Sequence, residues 1–278
     1  MSRHVNPTFL VFGLLGSFLM IELVLPIASL FLDADWANWI SALKQSEARQ
    51  ALMISLESSA ISMMAMIIFG VPLGYLLARA NLPLKRLWIS LVFLPMVVPD
   101  LAAGILLLKA FGPYGIIGQP LDARSIPLTN NLAGIVLAQL FVAAPFVIVS
   151  SLAGFASVDP KLELAAATLG DSRWHTFRRI ALPLAWPGIA AGLTLAWIRA
   201  IGEFGSTLIV AYNPHSLPVY MWIKFESDGL VGALPAAFCL VSLATGAVVA
   251  SMLLSRVTGF ADVVTPFGKA ATVENQLT

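Results

Sequence analysis

Three ionisable residues lie inside stretches of the sequence that are otherwise apolar: Asp100, Arg199 and Glu203. Arg199 and Glu203 are four residues apart, so on a helix they share a face and can neutralise each other. Gly202 and Gly205 flank Glu203 and thin the helix where a solute or another backbone could approach. Two interpretations therefore stand side by side: a structural ion pair, or a set of groups that lines a path for a solute.

The chain lacks the residue patterns that support catalysis. It contains no Gly-x-x-x-x-Gly-Lys-Ser/Thr phosphate loop, no His-Glu-x-x-His zinc pattern and no plausible Ser, His and Asp combination. His4, His175 and His215 fall in polar segments, where solvated side chains are expected. Cys239 lies in an apolar run and is expected to be a small packing residue. We therefore predict that the chain is not an enzyme and holds no cofactor or metal. Any activity that consumes ATP would therefore need another subunit to hydrolyse it.

The composition indicates a membrane protein. Of the 278 residues, 59% are hydrophobic and 11% are charged, and the mean hydropathy is +0.88. So little polar surface cannot cover a soluble globule of this size, so lipid must act as solvent for much of the chain. The net charge of +1 gives no sign of a nucleic-acid partner. We predict an all-α polytopic membrane protein with a single transmembrane domain over residues 1–278.

Six apolar runs are long enough to cross a bilayer as helices. The first is too long for the core of a signal peptide and is expected to be retained, with Glu22 facing other helices. The second begins with several serines around Glu57, which suggest a wet entrance. The six predicted spans cover residues 8–32, 51–80, 87–110, 131–155, 184–212 and 231–256.

The distribution of lysine and arginine predicts the orientation, because these residues collect on the cytoplasmic side of a membrane. With the N-terminus inside, ten of them are cytoplasmic and five are outside, and both termini and the segment 159–183 lie in the cytoplasm. The cytoplasmic ten are Arg3, Arg79, Lys85, Arg86, Lys161, Arg173, Arg178, Arg179, Arg256 and Lys269, and the outer five are Lys44, Arg49, Lys109, Arg124 and Lys224.

The segment 159–183, between the fourth and fifth spans, is predicted to form a bent pair of short helices, called the helix pair below. Asp159 is a good N-cap, and Gly170 is placed to stop the first helix. Ser172 can cap the second helix, which Pro183 is expected to end. The first helix carries an apolar stripe with a small centre, which would suit a hydrophobic groove on a partner. The stripe consists of Leu162, Ala165, Ala166 and Leu169.

This segment resembles the membrane-spanning permease subunits of bacterial and archaeal ATP-binding-cassette (ABC) importers. Their signature is Glu-Ala-Ala, three residues, Gly, nine residues, Ile, one residue and Leu-Pro. The matching residues are Ala165, Ala166, Gly170, Ile180, Leu182 and Pro183. The chain departs from the signature at Leu164, where the glutamate would stand, and Glu163 lies one residue earlier, about 100° around the helix. The alternative is an ordinary amphipathic connector between two spans.

The resemblance implies the fold of a type I importer permease in the inner (cytoplasmic) membrane, with a cytoplasmic coupling-helix pair. It also implies an extracytoplasmic solute-binding protein and a cytoplasmic ABC ATPase dimer that binds the ATP and Mg. The charged face of the fifth span needs a further partner, most economically a second copy of the chain, so a homodimer is favoured. The implied ATPase-coupling residues are Glu163, Ala165, Ala166, Gly170, Trp174, Phe177, Ile180, Leu182 and Pro183.

Longer segments are similar to the oxyanion branch of these permeases, which handles molybdate, tungstate or sulfate. The segments are FGPYGIIGQPL, FVAAPFVIVSSLAGFASVDPKLELAAATLG and RAIGEFGSTLIVAYN. Asp100 departs from this branch, whose members tend to carry an uncharged residue there. The charges favour a cation over an oxyanion, since the three acids Glu57, Asp100 and Glu203 outnumber the one base, Arg199. Polyamine, ferric iron and organophosphonate therefore stay open as alternative solutes.

The resemblance further implies transport by alternating access, gated in the third to fifth spans and the loop 112–118. Two other classes of function fit the sequence less well. A secondary transporter would need internal repeats, and the two halves of the chain show no convincing similarity. A membrane enzyme would need a catalytic constellation of side chains, which the sequence lacks.

Overall fold

The computed structural model describes residues 7–32 and 34–257, and the regular elements within these ranges are all helical. Two π-helical turns, Met66–Gly70 and Phe177–Ala181, continue one helix into the next. The predicted all-α fold is confirmed, whereas the two chain ends lie outside the described residues. The α-helices are α1 (Pro7–Leu32), α2 (Trp36–Leu43), α3 (Ser46–Ala65), α4 (Val71–Arg79), α5 (Lys85–Val97), α6 (Asp100–Phe111), α7 (Gly118–Asp122), α8 (Leu132–Ser157), α9 (Pro160–Thr168), α10 (Arg173–Thr176), α11 (Leu182–Ile201), α12 (Gly205–Val210) and α13 (Leu217–Val257).

Five helical stretches are long and apolar enough to cross a membrane, and the pair α5–α6 makes a sixth if it counts as one span. The span predicted over 87–110 is divided into two helices, because α5 and α6 are bent by 114°. Pro99 has no N–H and disfavours a helical conformation at Val98, which is extended with ψ 126°. A new helix then begins at Asp100.

The fifth span differs from the prediction at both ends. The helix is continuous from Arg173 to Ile201, so Pro183 does not end it. In the preceding π turn the Leu182 N–H bonds to the carbonyl of Phe177, five residues back, and this shifted register accommodates a proline in the next position. At the other end, α11 stops at Ile201 and the separate helix α12 follows, instead of one helix to residue 212.

The last long helix begins earlier than predicted, at Leu217, and is broken at Gly229, whose φ is +69°. Only glycine adopts this left-handed conformation without a steric cost. The second span is helical over Ser46–Arg79, and the π turn Met66–Gly70 carries it past Pro72.

The core is built around α8, which packs between α4 on one side and α11 on the other. Small residues allow close approach on both sides. A Cβ on Gly74 would lie 2.5 Å from Ser151 Cβ, and a Cβ on Gly188 would lie 3.1 Å from Gly154 Cα. The main buried cluster contains Met66, Val71, Ala143, Val147, Phe155, Ala185 and Ile189.

The second span and α8 run parallel. Ser62, midway along the second span, bonds to Gln139 in the first third of α8, and further along both helices Arg79 bonds to the carbonyl of Val158. The sequence separations of these pairs, 77 and 79 residues, are nearly the same, as expected for two helices that run in one direction. The chain between them, residues 80–131, must therefore lead back to the opposite end of the bundle.

Helix α1 lies at the edge of the fold. None of its described side chains is buried, and its Phe31 ring contacts Phe238 of α13 at 5.4 Å between centroids. Glu22 is exposed, so the expectation that it faces other helices is wrong within the single chain.

Candidate functional site

The helix pair forms with the caps that its sequence predicts. The Asp159 side chain accepts the Lys161 N–H at 2.9 Å, and Ser172 Oγ accepts the His175 N–H at 3.3 Å. Gly170, between them, has φ +92°, the left-handed conformation that ends α9. The bend between α9 and α10 is therefore encoded locally.

The residues expected to contact an ATPase do not share one environment. Ala166 is buried and Glu163 is largely enclosed, so both face their own chain. Phe177, Ile180 and Leu182 are half-buried, whereas the remaining members, Ala165, Gly170, Trp174 and Pro183, are exposed. Exposed apolar side chains surround them, with Leu162 at 47%, Leu164 at 66% and Leu169 at 88% exposure. An apolar patch of this kind, next to charged residues, is typical of a protein contact surface.

Glu163 is held by two residues of α4 that the sequence analysis did not place in a site. Arg79 Nε donates to Glu163 Oε1 at 2.6 Å, and the Tyr75 hydroxyl donates to Oε2 at 2.9 Å. The partners lie 84 and 88 residues apart in sequence, so no local pattern could reveal them. The available signal was the position of Arg79 at the predicted cytoplasmic end of an apolar run.

Asp100, Arg199 and Glu203 form one charge cluster. Arg199 Nη1 lies 2.6 Å from Glu203 Oε2, and Arg199 Nη2 lies 2.5 Å from Asp100 Oδ1. The exposed side-chain fractions are 47% for Asp100, 28% for Arg199 and 0% for Glu203. The predicted pair Arg199–Glu203 is therefore present, and Asp100 joins it from α6.

Two helix breaks meet at the charge cluster. Asp100 begins α6 after the 114° bend, and Glu203 lies in the non-helical link between α11 and α12. The Ser206 N–H donates to Glu203 Oε1 at 2.7 Å, and Ser206 Oγ donates to the Asp100 carbonyl at 2.9 Å. A Cβ on Gly205 would lie 2.7 Å from Asp100 Cβ, so glycine permits this approach. Gly202 is the C-cap of α11.

The serines of α3 form a buried polar seam. Ser62 Oγ donates to Gln139 Oε1 at 2.8 Å, and Gln139 Nε2 donates to Ser58 Oγ at 3.0 Å. All three side chains are buried, so the expectation of a wet entrance was wrong: these serines bond to α8. Glu57 is exposed and does not join the charge cluster.

The comparison with known families identifies the class of protein. Residues 70–258 match the model of the binding-protein-dependent transport system inner membrane component. This match covers more than half of the chain, so the chain belongs to that family.

Individual relatives are more specific. The chain is 42% identical over 235 residues to a probable molybdenum ABC transporter permease protein of Haloferax volcanii, covering 84% of this chain and 86% of the relative. It is 39% identical over 241 residues to a molybdate/tungstate transport system permease protein of Thermococcus kodakarensis, covering 86% and 92%. It is 36% identical over 212 residues to the molybdenum transport system permease protein of Escherichia coli K12, covering 74% and 91%.

Solved structures share the fold. A bacterial ABC transporter that imports alginate superposes with a TM-score of 0.66 at 19% identity, covering 89% of this chain and 95% of that one. A chain of the methionine ABC transporter MetNI, in an inward-facing conformation, gives a TM-score of 0.59 at 18% identity, covering 74% and 94%. At these identities the likeness concerns the fold alone.

Proposed function

We propose that this chain is the permease subunit of an ATP-driven importer for molybdate or tungstate. The observation that carries the proposal is the 39–42% identity, over 84–86% of the chain, to permeases named for these solutes. The geometry supports it, because one continuous helix, Arg173–Ile201, runs from the exposed helix pair to the charge cluster. A helix of this kind can carry a displacement at the cytoplasmic surface to the place where two spans are broken.

The proposed partners are a cytoplasmic ATPase dimer, which holds ATP and Mg, a solute-binding protein outside, and a second copy of this chain. We also propose that both termini lie in the cytoplasm. The exposed leucines around the helix pair would meet the ATPase, whose hydrolysis cycle drives alternating access. The bent pair α5–α6 and the short helix α12 are the proposed moving elements near the gate, since the bend of the pair and the start of α12 both lie at the charge cluster.

The charge cluster favours weak contact with the solute. Two carboxylates surround one guanidinium, so the cluster carries a net charge of −1 and Arg199 is not free to hold a dianion. The net negative charge of the cluster favours a cationic solute such as a polyamine or ferric iron. We propose that the binding protein selects the solute. The sequence identity with molybdate and tungstate permeases is therefore a stronger argument than the charge of the cluster.

The test is uptake into proteoliposomes that contain this chain, its ATPase and its solute-binding protein. Radiolabelled molybdate should enter only with ATP, and an excess of unlabelled tungstate should suppress its entry while spermidine has no effect. ATP-dependent entry of spermidine or ferric iron, without entry of molybdate, would overturn the proposal. Sulfate is the matched competitor, because it shares the charge and tetrahedral shape of molybdate.

A further inference from the structure

We infer that Tyr75, Arg79 and Glu163 form a clamp that fastens the helix pair to the second span, so that the two move as one body during transport. The inference rests on the proposed function, since it concerns how ATP hydrolysis by a partner becomes movement of this chain. It gives Glu163 a positioning role inside the chain, in place of the contact with an ATPase that the family signature implies.

The clamp fixes α4 to both sides of the start of α9. Both oxygens of the Glu163 carboxylate are occupied, one by Arg79 and the other by Tyr75. Arg79 Nη2 also donates to the carbonyl of Val158 at 2.8 Å. Val158 directly precedes Asp159, the N-cap of α9, so one guanidinium holds the first turn of α9 and the chain that leads into it. Two attachment points prevent α9 from pivoting about α4.

Aromatic rings extend the junction to two more helices. The Tyr75 ring packs edge-on against Phe155 of α8 and Phe177, with centroids 5.0 Å and 4.8 Å apart. Phe177 opens the π turn that continues into α11. Aromatic pairs in this arrangement stabilise each other beyond their buried area. The clamp therefore lies where the ends of the second and fourth spans meet the start of the fifth.

The ion pair is shielded well enough to persist. The side chains of Arg79 and Glu163 are 17% and 15% exposed. Salt and water weaken exposed ion pairs, but they screen a pair with this burial much less. Separating the two would leave an uncompensated charge in a largely enclosed place. The pair is therefore expected to stay closed while the surrounding helices move.

The connection between α4 and the helix pair is made by side chains and not by close packing of the two backbones. A groove of about 590 Å³ separates α4 from the helix pair beside the clamp. Pro72 and Leu76 line one wall, and Ala167 and Trp174 line the other. The clamp side chains reach across this groove. Losing them would uncouple α9 from α4 without removing a packed interface between the two helices.

From α4 the displacement has a direct route into the core. The backbone of α4 at Gly74 is seated on α8, where an added Cβ would lie 2.5 Å from Ser151 Cβ and 3.0 Å from the Ile148 carbonyl oxygen. Contacts this close leave little room for sliding, because packed interiors transmit strain. The clamp thus makes the second span a transmission route alongside the continuous helix of the fifth span.

The first test removes and then restores the charges. Arg79→Gln and Glu163→Gln should each insert normally and retain the co-purifying ATPase. Each should raise the ATP hydrolysed per molybdate imported about tenfold, equivalent to about 1.4 kcal/mol. The exchange Arg79→Glu with Glu163→Arg rebuilds the ion pair but not the bonds to Tyr75 and the Val158 carbonyl, so it should recover part of the lost coupling. A merely structural role would lower protein yield and melting temperature and leave this ratio unchanged.

Lys224→Gln is the matched control, because Lys224 pairs with Asp228 at 3.6 Å within one helix and joins no two elements. The ATP hydrolysed per molybdate imported should be the same for this variant as for the wild type. A wild-type ratio in both single clamp variants would overturn the clamp, and so would an exchange that imports no better than the single variants. Failure of the wild-type complex to import molybdate would instead count against the proposed function.

The second test does not depend on the solute. Spin labels at Ala80 and Ala167, on opposite walls of the groove, report the distance between α4 and α9 in a Cys239→Ala background. In the complex with its ATPase this distance should be the same with and without bound ATP, and Glu163→Gln should make it variable. A wild-type distance that changes by more than about 3 Å, half a helical turn, on binding ATP would overturn the clamp.

Discussion

At the scale of single residues, Arg199 is the centre of the charge cluster, because it pairs with a fully buried carboxylate and a half-exposed one at once. Glu203 has no exposed side-chain surface, whereas Asp100 is 47% exposed. A buried charge that loses its partner costs far more than an exposed one, which water can solvate. The two carboxylates should therefore respond very differently to substitution.

We predict that Arg199→Met lowers the stability of the chain by about 3–5 kcal/mol, because it leaves the Glu203 carboxylate buried and unpaired. Adding Glu203→Gln should recover most of this loss, since the amide oxygen can still accept the N–H of Ser206. The melting temperature of the purified protein in a mild detergent measures both effects.

Asp100→Asn serves as the control, because it keeps an acceptor for Arg199 and lies in a partly exposed place. It should change stability by about 1 kcal/mol or less. Equal melting temperatures for Arg199→Met with and without Glu203→Gln would contradict the assignment of Glu203 as a buried structural partner.

Sequence spacing was sufficient to predict one ion pair in the charge cluster, but not the contacts between distant segments. The separation of four positions between Arg199 and Glu203 predicted their contact, because helical neighbours at this spacing share a face. Asp100 reaches the same arginine only because α6 starts at the bend, and nothing local fixes that bend angle. Arg79 and Glu163 meet through the parallel packing of two distant spans, which the hydrophobic pattern does not specify.

At the scale of elements, the predicted caps formed because each depends on a few adjacent residues, as at Asp159 and Ser172. The prolines were harder to interpret. Pro99 breaks its span, whereas Pro183 lies inside a continuous helix, since a π turn precedes it. Whether a proline ends, bends or merely follows a shifted turn depends on the packing around it, which the sequence alone does not give.

Gly170 tests the role of the helix pair as a contact surface. We predict that Gly170→Asp inserts normally but loses the co-purifying ATPase and all uptake. A non-glycine residue at φ +92° costs about 1 kcal/mol, and a charge pushed into an apolar contact costs several kcal/mol more. Co-purification from detergent measures the first loss, and uptake into vesicles measures the second.

Gly229→Asp is a control with the same local strain. Gly229 also has a positive φ, +69°, and nothing lies within 4 Å of an added Cβ at either glycine. Gly229 lies on the predicted outer side, near Lys224, where no ATPase can reach. If Gly170→Asp and Gly229→Asp retained the ATPase equally, the helix pair would not be the contact surface.

At the scale of the whole molecule, two routes join the helix pair to the membrane spans. The fifth span is a continuous helix of 29 residues from Arg173, about 43 Å long at 1.5 Å per residue. This exceeds the hydrocarbon thickness of about 30 Å, so its first turns project beyond it. The second span is tied to the same place by Arg79 and Glu163. Movement of the helix pair therefore reaches both the charge cluster and α8.

The side on which each terminus lies depends on the bent pair α5–α6. If this pair entered the membrane and left it on the same side, the chain would cross the membrane five times. Its two ends would then lie on opposite sides. The parallel packing of the second span with α8 argues against this, because residues 80–131 must lead to the opposite end of the bundle. The charges agree, since a returning pair would spread the fifteen lysines and arginines outside the spans almost evenly over the two sides.

We therefore predict six crossings and both termini in the cytoplasm. Single cysteines at Ser2, Thr278, Ile116 and Gly229, in a Cys239→Ala background, can be labelled with a membrane-impermeant maleimide in sealed cells. Ile116 and Gly229 are exposed in the chain and should react from outside. Ser2 and Thr278, outside the described residues, should react only after permeabilisation. Labelling of Thr278 in sealed cells, with Ser2 and Ile116 protected, is the result that five crossings and a returning α5–α6 would give.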